Sequence, residues 1–293
     1  MNMPKFIMLC GICGAGKTTY AKTLDAVHIS SDAIRAELRP DDAEYHPEDN
    51  EKVFKIMHER VFDAINNGKN VIYDATNVTR KDRAGILNKL PSYVIKECHI
   101  VWAPIEVCIE QDSKRENPVG EAVVNKMLKR FQAPFYDEGF NEIKIIYPST
   151  FNLDISYKYM EKYYNDMCIT HDNPHHSADV NMHCINAMNF ISNNNYNDTY
   201  LEVAAFWHDV GKPYTKSFTN SKGETTDVAH YYSHQSVGSW ISYGCRETDD
   251  PVYVAWLVSS HMAPFLNEKY YNNLPAFLKE KIDILHEADL AAH

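Results

Sequence analysis

Two groups of residues in this 293-residue chain have types and spacing suited to chemistry. The first is Gly11-Ile12-Cys13-Gly14-Ala15-Gly16-Lys17-Thr18, directly after the apolar run Phe6 to Cys10. It fits the phosphate-binding pattern G-x-x-x-x-G-K-[ST], with a buried-strand signal before it and a helical signal after it. In such a loop, successive backbone N–H groups and the positive end of the following helix hold a phosphate. Glycines let the backbone curl around the anion. Lys17 then reaches the outer phosphates, and the Thr18 hydroxyl ligates Mg²⁺. The second group lies far downstream, because ten of the fourteen histidines fall from His171 onward. His183, the pair His208-Asp209 in Trp207-His208-Asp209-Val210-Gly211-Lys212, His234, His261 and Asp289 each fall in or beside a helical pattern. Imidazoles and carboxylates converging from several helices can hold a transition metal. A single buried histidine more often only satisfies a hydrogen bond.

The elements that would position the first group alternate in type. Lys5 to Cys10, Val27 to Ser30, Asn70 to Tyr73, Val94 to Trp102 and Ile143 to Tyr147 read as strands. Between them, Lys17 to Leu24, Ala33 to Leu38, Glu48 to Asn66 and Pro104 to Gln111 read as helices. Alternation of this kind predicts a doubly wound parallel sheet, with its site at the carboxyl ends of the strands. Each of those ends offers a polar group. Asp32 and Arg35 form D-x-x-R after the second strand, either a helix N-cap or a proton acceptor beside a phosphate-holding arginine. Asp74-Ala75-Thr76-Asn77 closes the third strand, as an Asx turn or as an acid near Mg²⁺ or the acceptor. Ser113 to Pro118 is a solvated loop or a lid whose Arg115 closes over the transferring phosphate.

The loop, Asp32 with Arg35, Asp74 to Asn77, the basic segment at Arg115 and Pro134 to Phe140 together resemble the P-loop kinase domain of polynucleotide 5′-kinases, over residues 1–150. The resemblance implies ATP or another NTP with Mg²⁺, held by Gly11, Gly14, Ala15, Gly16, Lys17, Thr18 and Thr19. It makes Asp32 the general base for a 5′-hydroxyl and Arg35 an acceptor contact. Asp74, Thr76 and Asn77 fall on the substrate side, and Arg115 stabilises the transition state. This chain departs from the family in its lid, which carries a single arginine beside Ser113 and Lys114.

After residue 149 strand signals fade. Helical spacing covers Ala178 to Ile191, Leu201 to Asp209, Tyr231 to Ile241, Val252 to His261 and Ala276 to Leu290. The histidine order resembles the HD phosphohydrolase superfamily, an all-helical metal-dependent fold, so residues 151–293 are expected to form an all-α HD-type domain. That resemblance implies His183, His208, Asp209 and Asp289 as ligands of a first metal. His234 and His261 correspond to the extra ligands of two-metal members, in which both ions activate water and stabilise the oxyanions. One or two divalent transition metals are therefore expected, with Lys212 on a substrate phosphate. His175 and His176 are candidates for substrate contact or for the surface, and His230 is an alternative to His234.

Composition narrows the class of partner. A net charge of −11 argues against a general nucleic-acid coat, although not against an enzyme that grips one strand end. Seven scattered cysteines make no disulfide framework and point to a reducing cytosol. No stretch is long enough to span a membrane. The expected function is a bifunctional end-healing enzyme acting on nucleic-acid ends, RNA first, in functional partnership with a ligase. A small-molecule nucleoside kinase fused to a nucleotide phosphohydrolase is the alternative, and an HD domain acting as a non-catalytic regulator is a third.

Overall fold

A computed structural model describes residues 3–40, 46–147, 153–172 and 178–292. The chain divides into two compact units, one of residues 1–127 with 134–150 and one of residues 128–133 with 151–293.

The first unit begins with β1 (Lys5–Cys10), α1 (Lys17–Ala21), β2 (Val27–Ser30), α2 (Ser31–Leu38), α3 (Asn50–Asn66) and β3 (Val71–Asp74). It continues with α4 (Arg80–Leu87), β4 (Ile95–Val101), α5 (Ile105–Ser113), the start of α6 (Glu121–Arg130) and β5 (Glu142–Ile146). Five strands form one sheet in the order β2-β3-β1-β4-β5, and every neighbouring pair is parallel. The central strands are near-continuous apolar runs, as expected for a sheet covered on both faces. Phe6, Met8, Leu9, Ile72, Cys98 and Ile100 are fully buried. Because Leu9 pairs with Asp74 and Asp74 with Ser30, the carboxyl ends of β1, β2 and β3 are aligned. The phosphate loop, Asp32 and Asp74 therefore meet at one edge of the sheet.

Local chemistry sets the helix starts. The Ser30 side chain caps α2 by accepting from Ala33 N, which relieves Asp32 of the capping role. Thr79 and Asp82 form a reciprocal capping box on α4. Arg83, fully buried, donates from Nε and Nη2 to the two carboxylate oxygens of Glu138 at 2.7 and 2.8 Å and from Nη1 to Asn77 O at 3.0 Å. A buried arginine is tolerable only when its donors are met this way. Pro134 to Phe140 is thus an anchor for the turn after β3.

The second unit holds α7 (Leu153–Asp166), α8 (Val180–Asn193), α9 (Thr199–Trp207), α10 (Lys212–Thr215), β6 (Ser217–Thr219) and β7 (Thr225–His230). Then follow α11 (His234–Ser242), α12 (Pro251–Ser260), α13 (Ala263–Leu266), α14 (Glu268–Asn273) and α15 (Ala276–Ala291). It is not all-helical, contrary to expectation, since β6 and β7 pair as an antiparallel hairpin. The turn is built on Asn220, whose side-chain oxygen accepts from Lys222 N and Glu224 N, and on Gly223 at φ +83°. β-branched Thr219, Thr225, Thr226 and Val228 favour the extended arms. Asp179, Asp198 and Asp250 cap α8, α9 and α12. Trp240, Trp256, Tyr163 and Tyr243 fill the core, where the Phe131 ring packs edge-on against Trp240 at 5.2 Å.

Candidate functional site

In the phosphate loop, Gly16 at φ +94° ends the curl and caps α1. Gly14, at φ +78°, is held so near α5 that a Cβ there would lie 1.9 Å from Cys108 O. Only glycine fits. Lys17 Nζ donates to the carbonyls of Gly11 and Ile12, both at 2.9 Å, so its ammonium lies across the loop's mouth. Ala15 is buried in the loop floor and Thr19 is exposed on α1. Thr18 Oγ1 donates to Asp74 Oδ2 at 3.1 Å. Asp74 is buried at the end of β3, and His28 Nε2 lies 2.9 Å from the same oxygen. A hydroxyl and a carboxylate held together at a loop mouth are the donor pair that Mg²⁺ takes beside nucleotide phosphates.

Asp32 is the second residue of α2 and its side chain is 71% exposed. Facing it, Arg115 Nη2 lies 3.6 Å from Asp32 Oδ2, and Arg115 Nη1 lies 3.3 Å from Asp112 Oδ1. Asp112 is 1% exposed and also accepts from Gly120 N at 2.9 Å. One buried carboxylate thus closes the basic loop at both ends and aims its arginine at Asp32. Arg35, one turn after Asp32, donates to Asn50 Oδ1 on α3 at 2.6 Å.

In the second unit, two ligand groups form around one carboxylate. His183, His208, Asp209 and Asp289 make the first group and Asp209, His234 and His261 the second, with the ligand atoms of each group within 4.8 Å of one another. His183 Nε2 is 2.9 Å from Asp289 Oδ1 and 3.3 Å from His208 Nε2. Asp209 Oδ1 lies 3.2 Å from His234 Nε2, and its Oδ2 lies 3.3 Å from His208 Nε2. The Nδ1 atoms of His208, His234 and His261 bond to the carbonyls of Ala205, Tyr231 and Val258 at 2.7, 2.9 and 2.7 Å. These bonds to backbone carbonyls fix each ring and turn its Nε2 into the cluster.

Electrostatics favours the donor forms. Burial opposes ionisation of Asp209, but Lys212 and His208 hold its carboxyl far below the usual range. Burial likewise works against Asp289, and hydrogen bonds from His183 and His208 outweigh it. Burial lowers His234 and, with His234 and His208 nearby, takes His261 down to about 3. His208 goes the other way: burial opposes its charge, but Asp209 beside it holds the imidazole well above its usual range, so a metal ion would take the place of its proton. Carboxylates and clustered imidazoles fit divalent transition metals.

The backbone allows this closeness at Gly211, where a Cβ would lie 2.1 Å from His234 O and 2.8 Å from Gly238 N. Lys212 is buried, with Nζ 2.6 Å from Asp209 Oδ2 and 3.3 Å from His171 Nε2.

A family model described as an AAA domain matches residues 6–134. Among solved structures, the chain is similar to one from a Pnkp1/Rnl/Hen1 complex, at 26% identity and a TM-score of 0.34, over 38% of this chain and 39% of that one. It therefore spans well under half of that chain's length. It is also similar to a gluconokinase from Sinorhizobium meliloti 1021, at 14% identity and a TM-score of 0.37, over 56% of this chain and 99% of that one. The first unit is a parallel α/β domain with a phosphate loop. Its fold implies ATP or another NTP with Mg²⁺.

In the first unit the sheet edge brings together Lys17, Thr18, Asp74, Asp32 and Arg115. Asn77 departs from the expected substrate role. At φ +49° and 3% exposed, it spends its amide on Leu9 O at 2.7 Å and Ala75 O at 3.3 Å, which fixes the turn. Thr76 is half-buried, and its carbonyl accepts from Gly11 N at 3.0 Å. All seven cysteines are free thiols. Among the described residues, no helix is long and apolar enough to cross a membrane.

In the second unit the six expected ligands converge. His230 does not join them; it lies in β7, stacked on Tyr232 and 3.1 Å from Thr226 Oγ1. His175 and His176 lie outside the described residues. Sequence reasoning missed Asp112, His28 and His171. Asp112 is three residues before Arg115, a helical spacing that could have exposed it, whereas His28 and His171 carry no motif.

Proposed function

We propose that the chain is a bifunctional end-healing enzyme that phosphorylates 5′-hydroxyl ends of a polynucleotide, RNA first, and removes 3′-phosphate or 2′,3′-cyclic phosphate. The observation that carries the proposal is Asp209, shared by two ligand groups in a chain that also has a P-loop kinase-like domain. Strand breakage by many nucleases leaves a 5′-hydroxyl and a blocked 3′ end. The two activities together repair both.

In the kinase reaction the 5′-oxygen attacks the γ-phosphorus of ATP, its proton passes to the Asp32 carboxylate, and the bond to ADP breaks. Arg115, already poised between Asp112 and Asp32, neutralises charge on the transferring group. Lys17 leaves the loop carbonyls for the phosphates, and Thr18 with Asp74 would hold Mg²⁺. Arg35 lies on the acceptor side of α2.

In the second unit His183, His208, Asp209 and Asp289 would hold one metal, and Asp209, His234 and His261 another. Metals there would supply Lewis acidity and lower the pKa of water. Lys212, oriented by His171 and Asp209, contacts a phosphate oxygen of the substrate. The site suits a reducing cytoplasmic setting, and a ligase would consume the product.

Oligonucleotides of defined end chemistry test both activities. With labelled γ-phosphate ATP, a 5′-hydroxyl RNA should gain label, and a 3′-phosphate RNA should release phosphate when divalent metal is supplied. Label passing to a nucleoside but to no oligonucleotide would favour the small-molecule kinase instead.

A further inference from the structure

Resting on the end-healing function above, we infer that Phe265 and His286 form a stacking platform for the base of the nucleotide whose phosphate enters the metal cluster. The cluster opens on one side. The side chains of His183, His208 and Asp209 are 1–3% exposed and that of His234 is 10% exposed, whereas that of Asp289 is 24% exposed. A substrate must therefore arrive past Asp289.

His286 lies three residues before Asp289 on α15, so both project from one face of the helix, about one turn or roughly 5 Å apart. Phe265 lies four residues after His261, on α13. The two rings meet at 4.9 Å with an interplanar angle of 65°. This edge-on contact fixes the Phe265 ring without covering it, and the residue is 59% exposed. A single exposed phenylalanine is unremarkable. Here the ring is held by a second aromatic that shares α15 with Asp289, and Phe265 itself follows His261 by four residues across the turn between α12 and α13.

The spacing selects the occupant. His286 and Asp289 stand about one helical turn apart on α15, a separation within the span of a single nucleotide. Stacking also tolerates any base, because every base has a π-face. That suits an enzyme that must accept ends of any sequence. The neighbouring Leu266, 63% exposed, extends the apolar rim.

The test uses the metal-loaded full chain and compares kcat/KM for a nucleoside 3′-phosphate with kcat/KM for abasic ribose 3-phosphate, which has the sugar and phosphate but no aromatic ring. Phe265→Ala should lower the ratio of the first to the second about tenfold or more, mainly through KM, at unchanged metal content. Phe265→Trp should restore the ratio, and His286→Ala should lower it less. An unchanged ratio, or equal loss on both substrates, would overturn the platform. A wild-type protein that hydrolyses abasic ribose 3-phosphate but no nucleotide would instead overturn the end-healing function on which the platform rests.

Discussion

His234 Nε2 and His261 Nε2 lie 3.1 Å apart, each with its Nδ1 committed to the carbonyl three residues earlier. Two neutral imidazoles so fixed point lone pairs at each other inside a buried site. Their repulsion is relieved when a cation takes both. The pair therefore supports a metal more strongly than either histidine does alone.

Metal content should follow the sharing of Asp209. His261→Ala should keep the first ion and lose the second, whereas Asp209→Ala should lose both, as measured by elemental analysis of purified protein. Gly211→Ala should resemble His261→Ala, because its Cβ would displace the His234 backbone from 2.1 Å. Equal metal content in all three variants would contradict the assignment.

The two activities should separate by mutation. Lys17→Ala or Asp32→Ala should reduce kinase activity by on the order of 10²- to 10⁴-fold and leave phosphoester hydrolysis intact. Asp209→Ala should do the reverse. End-point assays on labelled oligonucleotides read both, and loss of both activities in a single variant would argue against independent sites.

Asp112 should matter to phosphoryl transfer although it touches no substrate. Asp112→Ala frees both Arg115 and Gly120 N, and misplacing the lid arginine should lower kcat by about 10²-fold while KM for ATP changes little. Asp112→Asn retains an acceptor for Gly120 N and should be milder. Steady-state kinetics distinguishes these outcomes from general unfolding, which would lower the active fraction in both.

Acid should destabilise the first unit. Burial lowers the pKa of His99, more than Glu97 beside it raises it. Burial of Glu97 is outweighed by bonds from Lys5 and His99 and by the charge of Lys144, which hold its carboxyl below the usual range. Both folded pKa values thus lie below the unfolded ones, so the unfolded chain binds more protons and stability is lost as the pH is lowered. Thermal unfolding should shift to lower temperature below about pH 6.5 as His99 is affected, and again below about pH 4.3 as Glu97 protonates. Glu97→Gln should flatten the lower limb. A midpoint that rises on acidification would contradict this.

Much of this was legible in the sequence, for identifiable reasons. The phosphate loop declares itself because its chemistry is local, with glycines, Lys17 and Thr18 packed into eight consecutive residues. The ligand histidines are far apart, yet His208-Asp209 and the density of histidines after residue 171 mark them. Asp112 was legible only through its three-residue spacing to Arg115, whereas His28 and His171 were not, since each works through a contact that only the folded chain creates. Asn77 was misread because a polar residue after a strand looks the same whether it faces a substrate or ties down Leu9 O. The hairpin at β6 and β7 escaped because its turn lacks a two-residue Asn-Gly signal.

The most direct measurement is sealing. An RNA broken to leave a 5′-hydroxyl and a 2′,3′-cyclic phosphate is incubated with the protein, ATP and divalent metal, then given a ligase that joins only 5′-phosphate to 3′-hydroxyl ends. Wild-type protein should yield sealed RNA. Lys17→Ala and Asp209→Ala should each yield none alone, and a mixture of the two should restore sealing. Unsealed RNA with wild-type protein, beside a control RNA with ligatable ends that the ligase seals, would contradict the end-healing function.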